Sequence, residues 1–374
     1  MSRPKLLFLL TEDWFLRSHF LPLVRRAIAE GYECVVAARD SGALKDVEGV
    51  RLIDMPFARG SLRPWELGRQ VARLRALIGE EQPALIHAIA LKPIALLALA
   101  RVDDVARVFA VTGRGYLAVG RAPWTALLRW RLRRSLRREM RAPRTVLLVE
   151  NMGDAAWVAG DEPLAPEKIV RMPGAGVDID AFAPAAEPTK APIVVGLAAR
   201  LIYSKGVDLA VAAVQFLRSD GLDIVLRVAG DVDPQNPERV REDQIAQWRK
   251  AAGVELVGRV ADINAFWADA HIACLPSRGG EGLPRSLLEA AAAGRAIVTT
   301  DVPGCADFVL NNETGLVVAP NDVKALAEAL RALAAADERR RAMGRTGRLR
   351  VEEGYTEQHA ADTAALAWRR ALGA

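Results

Sequence analysis

Short apolar runs recur along the chain at intervals that leave room for a helix between neighbours, and few folds accept that rhythm. Leu6–Leu10, Glu33–Ala37, Leu85–Ala88, Val108–Val111 and Thr145–Val149 come first. Pro192–Leu197, Ile224–Ala229, Val254–Val257, Ile272–Leu275, Ala296–Thr299 and Gly315–Val318 follow. Most are apolar without alternation, as strands covered on both faces are. Between them lie helical patterns such as Phe20–Glu30, Pro64–Ile78, Val207–Leu217 and Pro284–Ala293. Strand and helix in alternation predict an α/β chain with parallel sheets wrapped on both faces. At 374 residues the chain exceeds the roughly 250–300 that one core serves, so two domains are expected, with chemistry in a cleft between them. Three prolines between Phe182 and Pro192 break the rhythm and place the boundary there. The expected division is 1–182 and 192–355, with a last helix in 356–374 packing back across the cleft.

With 51 % apolar and 26 % charged residues the chain has ample core material, which excludes disordered and low-complexity classes. Cys34, Cys274 and Cys305 are scattered, so neither a disulfide framework nor a zinc site is legible. The apolar run at Leu6–Leu10 is too short for a signal peptide, and no window reaches the 18 or so apolar residues of a spanning helix. The expected location is the cytoplasm or the inner face of its membrane.

The net charge of +5 comes from one place, since residues 121–144 carry nine arginines and a single acid, Glu139. Trp124, Leu127, Leu128, Leu132, Leu136 and Met140 recur there at helical spacing. Such a helix suits an anionic membrane surface, with Arg129, Arg133, Arg134, Arg137 and Arg138 as contacts, and its apolar stripe is equally suited to packing on a sheet. A nucleic-acid partner is not expected, because the charge sits in one helix without an aromatic-rich sheet or a reading motif.

Two segments carry recognisable chemistry. Pro276 to Glu289 leaves a strand, turns through glycines and opens a helix, so that the amides of Gly282 and Leu283 and the positive helix end offer phosphate a site. Glu281 and Glu289, eight positions apart, can address different parts of one extended ligand, or serve as a cap and a solvated helix residue. Arg200 and Lys205 flank another strand-to-helix turn and suit a pyrophosphate, or are two surface cations. Asp231-Val-Asp233 and Asp178-Ile-Asp180 spell a weak metal-binding pattern, and no metal is expected at either.

Taken in order, the Glu281-x7-Glu289 segment, Asp301-Val-Pro-Gly-Cys305 before Gly315-Leu-Val-Val, Arg200-x4-Lys205-Gly206 and Gly174-Ala-Gly-Val-Asp178 with Phe182 resemble glycosyltransferase family 4. The first half, through Trp14 to Pro22, Ile86-His87 with Lys92-Pro93, and Val111 to Tyr116, is similar to members that build bacterial surface polysaccharides on lipid carriers. The resemblance implies two Rossmann-like domains in the GT-B arrangement, a retaining reaction and no metal or other cofactor. It implies an acceptor-binding first domain and a donor-binding second domain. Glu281 would approach the hydroxyls of the donor sugar and Glu289 the nucleotide ribose, while Arg200 and Lys205 neutralise the departing diphosphate. Gly282 and Leu283 would donate amides to the phosphates, with Arg259, Val260 and Gly230 near the nucleotide. A uridine nucleotide sugar is the expected donor, guanosine the second choice, and a lipid-linked saccharide the acceptor.

Thr11-Glu12 stands where the family often has a glycine pair, and Val111-Thr112 where a histidine is common. His19, His87, Lys92, Thr112, Gly113 and Tyr116 are therefore the acceptor-side candidates. A sugar-nucleotide epimerase shares the two-domain layout, but gives no reason for the arginine stretch.

Overall fold

The computed structural model describes residues 3–373 apart from 56, 58–63, 103, 116–122, 190 and 235, and leaves the side chains of 64, 123 and 124 undescribed. The chain forms two units, Met1–Ala175 with Glu357–Ala374, and Gly176–Thr356.

The first unit is built on seven strands: β1 (Lys5–Glu12), β2 (Glu33–Arg39), β3 (Val50–Asp54), β4 (Leu85–Ile89), β5 (Ala106–Val111), β6 (Thr145–Val149) and β7 (Ile169–Arg171). They pair in parallel in the order β3-β2-β1-β4-β5-β6-β7. Successive residues of β1 feed opposite cores, which is why the run has no polar alternation. Leu6, Phe8 and Leu10 pack on one side with the C-terminal helix, Glu357–Leu372. Leu7 and Leu9 pack on the other with the helices Leu91–Ala100 and Pro123–Met140. The C-terminal helix buries mostly alanines, so its backbone lies close to the sheet, and Trp368 is its one large anchor.

The second unit has six strands, β8 (Ile193–Ala198), β9 (Ile224–Ala229), β10 (Val254–Gly258), β11 (Ile272–Leu275), β12 (Ala296–Thr300) and β13 (Gly315–Val318). All pair in parallel in the order β10-β9-β8-β11-β12-β13. In both sheets the strand order reverses beside the first strand, between β1 and β4 and between β8 and β11. Ligands of open α/β sheets bind beyond the carboxyl ends of the strands at such reversals.

Three expectations need correction. The division falls at Ala175/Gly176 rather than in the proline stretch. Val177 and Phe182 are buried in the second unit's core, Arg348 donates to the carbonyls of Ile179 and Phe182, and buried Glu187 pairs with Arg340 at 2.9 Å. Prolines prevent regular structure there but not packing. Secondly, β3 and β7 are strands that the apolar pattern does not announce, since β3 is half-exposed and β7 spans three residues at the sheet edge. Finally, a π-helical turn, Leu16–Phe20, precedes the helix Leu21–Ala29, where a single helix from Phe20 is expected.

Candidate functional site

At the β8/β11 reversal two loops are tied together. After β8 the chain buries Leu201 and Ile202 as anchors, makes a 3-10 turn over Tyr203–Lys205, and leaves it through Gly206. Gly206 has φ +70°, and a Cβ there would collide with the Pro276 carbonyl, so only glycine lets the two loops come this close. From the other loop, the Arg278 amide donates to the Ser204 carbonyl at 2.8 Å, and the Ser277 hydroxyl oxygen lies 3.2 Å from the same oxygen.

On this base the charged side chains meet. Lys205 Nζ lies 2.7 Å from Glu281 Oε2, and fully buried Ser277 donates to Glu281 Oε1 at 2.9 Å. Glu281 is thus oriented by one cation and one hydroxyl. Arg200, about half exposed, donates through Nη1 to Asp233 Oδ2 at 2.9 Å. Asp233 belongs to the loop after β9, which enters through Gly230 at φ +140°, where a Cβ would strike the Ala199 carbonyl. That loop is laced to the first: Leu201 donates to the Asp231 carbonyl, Tyr203 to that of Glu238, and Val240 to that of Leu201.

The sequence reading missed Arg278 and Glu238. Arg278 grips Asp208 through both terminal nitrogens at 2.8 and 2.7 Å, and donates to the Tyr203 carbonyl and to Asn321. Burial raises the Glu238 carboxyl above its ordinary pKa, opposed by a bond to Ser204, with Glu281 adding to the rise. An arginine and a glutamate in polar loops give no spacing signal, and only the fold brings them here.

Glu289 lies on the helix Arg285–Ala292, where Arg285 Nε meets its Oε1 at 2.9 Å. Burial pushes its carboxyl up and Arg285 pulls it down. Gly282 and Leu283 are buried at the turn before that helix, Arg259 is exposed just after β10, and Val260 half-buries against the core. The two D-x-D patterns are otherwise engaged: Asp233 holds Arg200, and Asp178 accepts the amides of Asp180 and Ala181 in a local turn.

The acceptor-side candidates belong to the first unit. His19 is half-buried in the π-turn, 2.7 Å from Ser18 Oγ and stacked on Phe15 with ring centres 4.6 Å apart. Lys92 opens the Leu91–Ala100 helix, its amine lowered by burial with Glu66 opposing. Thr112 and Gly113 follow β5 and are half-buried, and the neighbouring Arg114 lies 2.8 Å from buried Asp154. Tyr116 lies outside the described residues. His87 is a correction. It has no exposed surface, its Nδ1 accepts from Trp368 Nε1 at 3.1 Å, and burial lowers its pKa to about 3. It is a neutral core residue and leaves the acceptor list.

Just after Thr11-Glu12, Asp13 fastens a neighbouring turn. Burial would raise its carboxyl, but bonds from the Ser41 hydroxyl and the amides of Ser41, Ala43 and Trp14 lower it, so the carboxylate holds the 41–43 turn.

The arginine-rich segment forms the helix Pro123–Met140. Leu132, Leu136 and Met140 are buried against the sheet, and buried Arg107 pairs with Glu139 at 2.6 Å. The apolar stripe is therefore core along its second half. Arg134 and Arg138 are exposed, whereas Arg129, Arg133 and Arg137 are half-buried.

Comparison with known proteins agrees with the two-sheet fold. Residues 5–137 match the family described as glycosyl transferase 4-like, and residues 192–336 that described as glycosyl transferases group 1. The capsular polysaccharide biosynthesis glycosyltransferase CapM of Staphylococcus aureus is 29 % identical over 165 residues, 44 % of this chain and 43 % of CapM. The chain spans at most about half the length of the first curated relatives it matches. A glycosyltransferase from Rickettsia africae superposes with a TM-score of 0.77 at 16 % identity, covering 100 % of this chain and 99 % of its own. Anabaena HepE, solved with UDP and glucose, gives 0.73 at 18 % identity over 97 % and 98 %.

Proposed function

Because the chain belongs to the glycosyltransferases, with a 4-like part and a group 1 part in sequence, we propose that it transfers a sugar from a nucleotide-sugar donor to a hydroxyl of a lipid-linked saccharide. On this reading the donor is a uridine diphosphate sugar, configuration is retained, and the product enters a bacterial cell-surface polysaccharide. The observation that carries it is the Arg200, Lys205, Glu281 and Ser277 cluster at the β8/β11 reversal. UDP and glucose in HepE and the part of CapM in capsular polysaccharide biosynthesis support the choice of donor and product.

The chemistry needs charge neutralised as the diphosphate leaves. Arg200 uses one nitrogen for Asp233, leaving further donors of its guanidinium to turn toward phosphate, and Lys205 sits at the neighbouring turn. These two cations take the role a divalent ion plays elsewhere, so the reaction is metal-independent. Glu281, steered by Lys205 and Ser277, meets the sugar hydroxyls. Glu289 takes the ribose, Gly282 and Leu283 the phosphates, and Gly230, Arg259 and Val260 wall the nucleotide. On the acceptor side stand His19, Lys92, Thr112 and Gly113. The enzyme works at the cytoplasmic membrane face, to which the arginine helix attracts it.

The test is turnover of UDP-sugars with a lipid-linked acceptor. Arg200→Ala and Lys205→Ala are each expected to lower kcat by roughly 100- to 1,000-fold, the cost of one electrostatic contact to a transition-state charge. EDTA is expected to leave the rate unchanged. Wild-type rates in both variants, or a rate lost to EDTA and restored by magnesium, contradict the proposal.

A further inference from the structure

The Pro123–Met140 helix carries a feature that its packing does not explain. Between its second half and the end of the Leu91–Ala100 helix runs a groove of about 550 Å³, lined by seven arginines and a single acid, Glu162. Glu162 pairs with Arg137 at 2.6 Å. Among the described residues none of the other six, which include Arg101, Arg134, Arg138 and Arg141, has an acidic partner. Six guanidinium charges held together without counter-charge repel one another, and a bound polyanion relieves that repulsion.

The position of the groove separates it from the acceptor candidates. In a parallel sheet each helix starts at the carboxyl edge and returns to the amino edge. Leu99 and Arg101 come at the end of one such helix, Arg138 and Arg141 at the end of the next, just before β6, and Glu162 follows the end of Met152–Ala159. The groove therefore lies toward the amino edge of the first sheet, opposite the edge that carries His19, Lys92 and Thr112.

The walls supply a second clue. Leu99, 50 % exposed, and Trp130, 53 % exposed, line the groove, and Leu127, 51 % exposed, sits one turn before Trp130. Arg134 Cζ lies 6.0 Å from the Trp130 ring centre. Large apolar side chains set among guanidinium groups match a surface whose phosphates lie beside hydrocarbon. Guanidinium forks bind phosphate oxygens in pairs, which a diffuse positive face does not require.

We propose that this groove is an anion site in its own right, seating the phosphate headgroups of anionic phospholipids while Trp130, Leu127 and Leu99 enter the interface. The proposal deepens the membrane part of the function proposed above and rests on that part alone. It replaces a helix lying flat on the bilayer, because the second half of the stripe that would face lipid, Leu132, Leu136 and Met140, is committed to the core. The membrane contact is the groove at the amino edge of the sheet, and the acceptor edge is left open.

Sedimentation of the full chain with vesicles tests it. Phosphatidylcholine vesicles with 30 mol % phosphatidylglycerol are compared with pure phosphatidylcholine, at low and high salt. Wild type is expected to bind the anionic vesicles, release them as salt rises, and leave the neutral ones unbound. Arg134→Gln with Arg138→Gln is expected to weaken partitioning roughly 30-fold, two charges at the surface. Arg249→Gln with Arg345→Gln removes the same charge from exposed positions in the other unit and is expected to change it less than twofold. Trp130→Ala, which removes no charge, is expected to weaken binding to the anionic vesicles at low salt as well. Equal losses in the two double variants, equal binding to both vesicle types, or no binding at low salt overturns the proposal. UDP-sugar turnover in detergent is expected to be unchanged in the groove variants. A chain without transferase activity would thus defeat the proposed function while leaving the groove to be judged by sedimentation.

Discussion

In the second unit the loops leaving β8 and β11 are tied to each other, Lys205 to Glu281 and Ser277 to both, with Arg200 held from a third loop by Asp233. In the first unit, among the described residues, the loop leaving β1 is tied through Asp13 to the 41–43 turn that follows β2, and the loop leaving β5 through Arg114 to Asp154 in the helix after β6. The two sheets reverse their order at the same relative place, so the difference lies in the loops and not in the fold. On the function proposed above, a departing diphosphate asks for the same fixed charges whatever sugar it carried, and a cross-braced loop pair would supply them without reorganisation, whereas an acceptor edge has no such common anion to meet.

The comparison breaks most visibly at His87 if that histidine does chemistry. Held neutral with a pKa lowered to about 3, it binds no proton in the fold over a range where the unfolded chain, with its ordinary value near 6.5, binds one. Stability is therefore expected to fall as pH drops from about 6.5 toward 3, with this residue contributing up to about 1.4 kcal/mol per pH unit. His87→Gln can still accept from Trp368 and is expected to flatten that slope in urea unfolding while keeping turnover. A stable variant without activity would move the catalytic weight toward the first unit.

A smaller effect sharpens the second unit. Glu281→Gln is expected to lower kcat by about 10- to 100-fold with little change in donor KM, because its contacts matter at the reacting sugar. Glu289→Gln is expected to raise donor KM several-fold with kcat nearly kept, as for a group that holds ground and transition states alike. Steady-state kinetics with varied donor separates the two, and the reverse pattern exchanges their roles.

The parallel sheets are legible because two-sided burial writes itself as unbroken apolar runs, of which Leu6–Leu10 is one. The edge strand β3 is not, since Arg51 and Asp54 on an exposed edge look like loop. Lys205 and Glu281 stand out because strand-to-helix turns are local in sequence, each within several residues of a strand end. Arg278 and Glu238 cannot, because their partners lie on other segments, Asp208 in the first turn of the Val207–Ser219 helix and Ser204 in the turn before it. His87 misleads for a related reason. Its neighbours in sequence suggest a strand end, while the residue that claims it, Trp368, is 281 positions away.

Binding of UDP to the full chain, measured by titration calorimetry, tests the central claim most directly. Wild type is expected to bind, and the Arg200→Ala, Lys205→Ala double variant to bind at least about 100-fold more weakly, since hydrogen bonds to charged groups contribute about 1.5–3 kcal/mol each. Its unfolding midpoint is expected to fall through loss of the largely buried Lys205–Glu281 pair, with little added by half-exposed Arg200, so binding is compared at a temperature where the variant is folded. UDP bound by the folded double variant within twofold of the wild-type affinity would place the diphosphate elsewhere and contradict the account.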